Sequence, residues 1–285
     1  MPKTYNDLYL ETRKLLREHG IESYNLEARI IVSQAAGKSM EKFLQSLNLY
    51  TGDDTRYKVN ELVTRRLKGE PVAYLTGRWE FYGLPMDVTP DVLIPRPETE
   101  LLVDKAVAML NHNKMDARIL DLCAGSGCVG CAIAHKLHAS RVVMIDNSRA
   151  ALTVCRRNVA LNTLGARVTC IEADIFDSPP MLVGSFDLVA MNPPYIPSPD
   201  ILGLPASVRD FEPRAALDGG EDGLDYYRAF LKNWKAILRE GGSAIFEVGI
   251  GQAGAVVQLL RQGGFVRVES YRDLNGVERV VSGRV

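Results

Sequence analysis

The sequence predicts an α/β protein: a doubly wound sheet with an antiparallel last strand, a small N-terminal helical bundle, and a β-hairpin linker between them. Three observations predict it. From Arg118 onward, short apolar runs alternate with helix-period segments. A small-residue loop, Cys123-Ala124-Gly125-Ser126-Gly127, separates the first run from the first of those helices. Residues 1 to 75, by contrast, carry only helical stripes and their caps.

The 285 residues are long for one domain and comfortable for two. Hydrophobic content of 46% and charged content of 24% are ordinary for a globular protein. A formal net charge of -1 leaves no global basic excess, which argues against a stable grip on long nucleic acid. No apolar run reaches the length of a membrane span, and the first residues lack the apolar core of a signal peptide. The expectation is a cytoplasmic monomer with no membrane association.

The expected division is a helical domain over 1–75, a hairpin linker over 76–95 and an α/β domain over 96–285. In the first part, Thr4 caps a helix with Asp7 at its third position, and Gly20 closes it. Asn25 opens a second helix, Ser39 a third, and a fourth runs from about Thr55 to Gly69. The charges of Arg65-Arg66-Leu67-Lys68 read as a solvated face. Trp79, Phe81, Tyr82, Val88, Val92, Leu93 and Ile94 are strand formers broken by Gly83 and Pro85. Pro97 suits a helix's first position, with Glu98 and Glu100 in its first turn.

The α/β pattern then follows. Strands are expected at 118–122, 141–146, 167–172, 185–191 and 243–248. Helices are expected from the glycine loop to about Leu137, at 148–162, at 222–239 and at 251–262. Strands 265–271 and 278–285 form a final hairpin turning at Asn275-Gly276.

The candidate chemistry gathers at strand ends. The strand 185–191 stops at Asn192-Pro193-Pro194-Tyr195, because two prolines cannot continue a ladder. In an open α/β sheet the carboxyl ends of strands are where ligands bind. An Asn amide, a stiff backbone with free carbonyls and an aromatic face suit a planar group bearing N–H donors. Gly125-Ser126-Gly127-Cys128-Val129-Gly130 matches G-x-G-x-x-G, and Asp146 closes the second strand. That pattern serves a dinucleotide dehydrogenase or an adenosine on another carrier. Asp121 separates the two: a carboxylate is unhelpful beside a pyrophosphate and suits a cationic ligand. The Asn-Pro-Pro-Tyr end has no role in hydride transfer. Of the five cysteines, Cys128 and Cys131 form a Cys-x-x-Cys, but no second pair stands at metal spacing. They read as small residues packing a helix start, and no metal is expected.

These motifs resemble those of the class I S-adenosylmethionine-dependent methyltransferases, and more narrowly the HemK/PrmC family. The resemblance covers nearly the whole chain. It includes Phe81-Tyr82-Gly83-Leu84-Pro85, the segment from Leu93 to Glu100, Phe211-Glu212-Pro213-Arg214-Ala215-Ala216-Leu217, and the tail from Arg272 to Arg279. It implies a methyl transfer from S-adenosylmethionine to the side-chain nitrogen of a glutamine in peptide chain release factors, modulating translation termination. Asp121, Cys123, Ala124, Gly125, Ser126, Gly127, Asp146, Ile175 and Asn192 would hold the cofactor. Asn192, Pro193 and Tyr195 would be catalytic: Asn192 Oδ1 and the Pro193 carbonyl would accept the amide N–H groups, and Tyr195 would pack on the amide plane. Pro194 would join those three in binding the substrate. The helical domain would recognise the protein substrate. Cys123 stands where the family usually has Gly, and fits if its backbone is not left-handed. A nucleic-acid N-methyltransferase shares the Asn-Pro-Pro-Tyr motif, and a basic groove beside Asn192 would favour it. A non-catalytic scaffold is the third reading, against which the intact Asp121, Asp146 and Asn192 argue.

Overall fold

The helical stripes of the first part become five helices: α1 (Tyr5–Glu18), α2 (Tyr24–Ala35), α3 (Met40–Gln45), α4 (Asp53–Leu67) and α5 (Val72–Thr76). The structure is a computed structural model that describes residues 2–110, 116–181 and 183–285. Thr4 and Asp7 form a capping box: the Thr4 hydroxyl accepts from the Asp7 N–H at 3.1 Å, and the Asp7 carboxylate accepts from the Thr4 N–H at 2.8 Å. The second helix starts at Tyr24, so Ser23 rather than Asn25 precedes it. The Ser23 hydroxyl donates to Glu27 across the first turn. Leu16, Ile31, Val32 and Phe43 are completely buried and form the bundle's interior.

Two of the basic residues read as a solvated face have partners within the bundle. Arg66 of α4 grips the buried Glu27 of α2 with two nitrogens, at 2.5 and 3.2 Å. Arg65 does the same to Glu70, at 2.8 and 2.5 Å. A paired guanidinium and carboxylate satisfy each other's hydrogen bonds, which a buried Glu27 alone could not. The chain forms two contact-dense units. One takes the chain up to Arg78 together with Pro205–Phe211, and the other takes Trp79–Leu204 with Glu212–Val285. The return of Pro205–Phe211, which includes α9 (Ala206–Arg209), is absent from the sequence expectation.

The second unit begins with a hairpin, β1 (Arg78–Phe81) and β2 (Leu84–Asp87). Residues 88–96 are irregular, so the strand character expected for Val92, Leu93 and Ile94 is not realised. Pro90 and Pro95 withhold the N–H groups a strand would need there. The hairpin is no free tether: Phe81, Leu84 and Met86 lie in the unit's core. Pro97–Thr99 forms a 3-10 turn leading into α6 (Glu100–Met109).

The sheet elements follow in alternation: β3 (Arg118–Leu122), α7 (Cys128–Lys136), β4 (Arg141–Asp146), α8 (Arg149–Leu161), β5 (Val168–Glu172) and β6 (Phe186–Met191). Then come α10 (Asp225–Ala229), β7 (Leu238–Glu247), α11 (Ala253–Gln262), β8 (Val266–Arg272) and β9 (Glu278–Arg284). The seven strands stand in the order β5-β4-β3-β6-β7-β9-β8. The first five are mutually parallel, and β9 runs antiparallel between β7 and β8. All six residues of β6 are buried, which is why its sequence is, apart from the hydrogen-bonded Asp187, an apolar run rather than an alternation. One core lies under α6, α7 and α8, and a second under α10 and α11.

The helix expected over 222–239 is broken. After α10 the chain widens into a π turn, Phe230–Trp234, tightens into a 3-10 turn, Lys235–Ile237, and enters β7 at Leu238. The irregular turns let Phe230 and Trp234 bury fully while Asn233 and Trp234 reach the backbone carbonyls of Ile175, Phe176 and Asp177. They thereby fix the segment that follows β5.

One buried amide ties the hairpin to the sheet. Asn158 of α8 accepts from the Asp87 N–H at 2.6 Å and donates to the carbonyls of Asp87 at 2.9 Å and Ser126 at 2.8 Å. It is completely buried, and its removal takes the partner from three backbone groups, of which the Ser126 carbonyl is in a buried contact and the two of Asp87 are part-buried. Asn158→Ala is expected to cost roughly 2–4 kcal/mol in urea-unfolding stability. A loss below about 1 kcal/mol would show that these groups find other partners.

Candidate active site

Two strands distant in sequence bring the site together. β3 and β6 are neighbours, with Leu122 beside Met191, so the loop after β3 and Asn192 leave the sheet at the same edge. The loop's shape follows from its small residues. Gly127 has φ +78° and caps α7, and a Cβ there would meet the Cys155 sulfur at 2.7 Å. A Cβ on Gly130 would meet the Asp121 carboxylate at 2.9 Å, so only glycine lets the helix donate its N–H to Asp121 Oδ2 at that same distance. Cys123 has φ +58°. The condition under which Cys fits is therefore not met: the residue sits in the left-handed region, at a strain of about 1–2 kcal/mol relative to glycine.

Acidic side chains converge on this loop. Asp146, at the end of β4, accepts from the Gly125 N–H at 2.8 Å with one oxygen and from the Ser148 N–H at 2.9 Å with the other. Asp174 accepts from the Phe176 N–H at 2.9 Å and from the Asn147 side chain at 3.0 Å. A cleft runs between them and Asn192. It is lined by Asp121, Cys123, Ala124, Gly125, Ser126, Asp146, Asp174, Ile175 and Asn192, with Pro194, Arg96, Thr99 and Tyr226 also on its walls. Ile175 serves as wall and as core residue at once.

Three residues predicted for the site do not line the cleft: Gly127, Pro193 and Tyr195. Gly127 faces Cys155 and Met144 behind the loop, and its part is to turn the chain. Tyr195 turns its hydroxyl towards Glu247 at the end of β7, at 3.4 Å. The Tyr195 backbone is held by Gln252, which donates to its carbonyl at 2.8 Å, and by Gly223, where a Cβ would meet that carbonyl at 2.3 Å. The signal for this support is the glycine-rich run from Gly219 to Gly223, which the motif reading passed over. Glu212 is a second support. It is buried, accepts from the Ile94 N–H at 3.1 Å and pairs with Arg96. It therefore joins two segments that the resemblance singled out separately.

The electrostatics test what the cleft accepts. Burial pushes the Asp121 carboxyl up to about 7, with the nearby Asp146 adding to the rise and the Gly130 N–H opposing it. Burial also raises Asp146, against the backbone N–H groups of Ser148 and Gly125. The Cys123 thiol is pushed well above its usual range by burial, so it is no thiolate. Among the described residues Arg96 is the one Lys or Arg on the cleft wall, and Glu212 neutralises it. Acidic groups without a cationic partner fit a ligand that carries positive charge and hydroxyl donors. S-adenosylmethionine carries a sulfonium, an ammonium and a ribose diol.

The comparisons agree with that geometry. The PrmC N-terminal domain model matches residues 7–77, and the methyltransferase small domain model matches residues 98–200. The release factor glutamine methyltransferase of Geobacter sulfurreducens is 41% identical over 280 residues, covering 96% of this chain and 94% of that one. The chain belongs to the release factor glutamine methyltransferase family. The member from Rhodopirellula baltica is 36% identical and covers 99% of both chains. A methyltransferase structure from Pyrococcus furiosus shares the fold at 14% identity, with a TM-score of 0.53, covering 78% of this chain and 96% of that one. The release factor glutamine methyltransferases take S-adenosylmethionine as methyl donor, and the sheet order with its reversed β9 is the class I methyltransferase fold. No helix among the described residues is long and apolar enough to cross a membrane.

A pH dependence follows from the Asp121 carboxyl. In the ligand-free protein it holds a proton below about 7, and a bound cation favours its ionised form. Binding then releases a proton, so affinity for S-adenosylmethionine is expected to weaken as pH falls below about 7 and to level off above it. Calorimetry from pH 5.5 to 8.5 measures this, and a flat profile would refute it. Asp121→Asn removes a buried charge at pH 8. It is expected to raise the Tm of the ligand-free protein while weakening affinity for S-adenosylmethionine at least about tenfold.

Proposed function

We propose that this protein methylates the side-chain amide nitrogen, N5, of a glutamine in a peptide chain release factor, and so modulates translation termination. One observation carries the reading beyond the family relationship. The Asn192 amide nitrogen donates to Thr99 Oγ1 at 3.2 Å, which leaves Oδ1 to serve as an acceptor at the cleft. An acceptor beside a cation-binding site suits a substrate that brings N–H groups.

When bound, S-adenosylmethionine supplies an electrophilic methyl group on a sulfonium. Asp146 would hold the ribose hydroxyls, Asp121 the positively charged end, and Ile175 would form an apolar wall beside the adenine. The backbone of Cys123, Ala124, Gly125 and Ser126 would line the cofactor, with Gly127 setting the turn behind them. A primary amide nitrogen is a poor nucleophile because its lone pair is delocalised into the carbonyl. Asn192 Oδ1 and the Pro193 carbonyl would accept its two N–H groups and hold it so that the lone pair faces the methyl. Tyr195, anchored behind the cleft by Glu247 and Gln252, and Pro194 would keep the backbone after Asn192 stiff. Such positioning accounts for several kcal/mol, on the order of 7–11 in favourable cases. Among the described residues no histidine lines the cleft, and the proton is taken to leave after transfer, when the nitrogen is strongly acidic.

The helical unit is the proposed recognition surface for the release factor, since it adds protein surface and contributes no residue to the cleft. We take the working protein to be a cytoplasmic monomer without a stable nucleic-acid partner. The cleft's acidic lining supports that last point, because a groove for phosphates needs the opposite charge.

The test is transfer of labelled methyl to purified release factor, with the target glutamine changed as control. Label on the unchanged factor alone is the expected result. Label on DNA or RNA instead would overturn the substrate assignment. Asn192→Ala is expected to bind S-adenosylmethionine within about threefold of the parent and to lose turnover by about 100-fold or more. Near-normal turnover would remove Asn192 from its role.

A further inference from the structure

Two cysteines that the sequence keeps fifteen residues apart meet in the fold. Cys155 of α8 and Cys170 of β5 bring their sulfurs to 3.4 Å. Cys155 has none of its surface exposed, and its sulfur also lies 3.2 Å from the sulfur of Met144. Cys170 is half-buried on β5, the outermost of the parallel strands. Neither residue lines the cleft. The Cys-x-x-Cys of α7 offers no such arrangement, since Cys128 and Cys131 are both buried, out of reach of a solvent oxidant.

A pair of thiols at this distance has chemistry that a single thiol lacks. Closing from 3.4 Å to a disulfide bond of about 2.05 Å takes about 1.4 Å of combined movement. Access decides the order of events, because hydrogen peroxide in solvent reaches Cys170 and not Cys155. The Arg156 guanidinium donates to the Cys170 carbonyl at 3.4 Å, and a positive charge beside a thiol favours its thiolate.

The place of Cys155 gives the bond a consequence. Its sulfur belongs to the floor on which the cofactor loop rests. A Cβ added to Gly127 would meet that sulfur at 2.7 Å and the Met144 sulfur at 3.1 Å. Met144 in turn lies under Gly130, whose N–H donates to Asp121. Drawing the Cys155 sulfur to Cys170 changes its contacts with Gly127 and Met144, and a close-packed interior passes such a shift on to its neighbours.

We propose that Cys155 and Cys170 form a peroxide-sensitive modification site, which closes to a disulfide and weakens the hold of the cofactor loop on S-adenosylmethionine. In the first step the Cys170 thiolate attacks one oxygen of hydrogen peroxide. The O–O bond breaks, an S–O bond forms, and the departing hydroxide takes up the proton that Cys170 released and leaves as water. The Cys155 sulfur then attacks the sulfur of this sulfenic acid. The S–O bond breaks, the S–S bond forms, and hydroxide leaves with the Cys155 proton as a second water. The two thiols give up two electrons and two protons, and the peroxide is reduced to two waters. A dithiol reductant reverses the bond. The site does not depend on which acceptor the enzyme methylates.

The test treats the full chain with hydrogen peroxide and reads mass and affinity separately. The intact mass is expected to fall by two hydrogens, and peptide mapping to link Cys155 to Cys170. The Kd for S-adenosylmethionine, measured by calorimetry, is expected to weaken about 3- to 10-fold and to recover on adding dithiothreitol. Cys170→Ser is expected to keep the parent's Kd within about twofold and to lose both responses. In Cys155→Ser the sulfenic acid of Cys170 has no thiol to resolve it, so dimedone labels it; only that label is read, because Cys155 supports the loop. Oxidation confined to Cys123, or persistence of both thiols, would overturn the site. A disulfide between Cys155 and Cys170 with an unchanged Kd would overturn its link to the cofactor. A loss of affinity that survives Cys170→Ser would overturn it as well.

Discussion

The site depends on the parallel pairing of β3 with β6. These strands are separated by two full strand–helix repeats in sequence, yet Ile119 to Leu122 lie beside Leu188 to Met191 in register. The pairing brings the Asp121 loop and Asn192 out at one edge, and a slip of one residue would turn Asp121 to the other face of the sheet. Burial on both faces enforces it, since every residue of β6 is apolar or, in the case of Asp187, satisfied from outside the strand. Asp187 accepts from the Arg118 N–H and from Arg239, so the register is pinned by polar contacts as well.

Much of this was legible in the residues, for reasons that differ by element. The central parallel strands β3 and β6 were readable because burial on both faces makes each a short, mostly apolar run bounded by turn residues. The loop was readable because its glycines answer to backbone geometry rather than to distant partners. The broken helix after Asp225 was not, because its π turn exists to let Trp234 and Asn233 reach a segment more than fifty residues earlier. The 88–96 stretch was misread as strand on composition, where its prolines carried the better signal. In the site, the groups that touch the cleft were mostly found, since motif residues sit next to each other in sequence. The groups that orient them were not. Glu247 and Gln252 are single residues far from the motif they serve, with nothing local to distinguish them from ordinary surface acids and amides, and Glu212 stood in a segment of the resemblance without its role being readable there.

Cys123 shows how conflicting demands are resolved. Left-handed backbone favours glycine, but the chain places a half-buried thiol there, on the cleft wall. The strain persists because the neighbours over-determine the turn: Ala124 donates to the Ile145 carbonyl, and Gly127 closes back on Ala124 at 2.7 Å. The loop's shape is set by the hydrogen bonds of the residues that follow Cys123 and not by the residue's own preference.

The unbalanced carboxyls of the cleft carry a consequence outside catalysis. Asp121 and Asp146 are desolvated by folding with no cation among the described residues to offset them, so the empty fold is less stable than the filled one. A ligand that binds only the folded chain stabilises it by about 2.7 kcal/mol at a hundred times its dissociation constant. In a cell, a margin of that size alters how much of a protein escapes proteolysis. By this linkage the donor-bound enzyme is expected to resist unfolding and proteolysis better than the empty one.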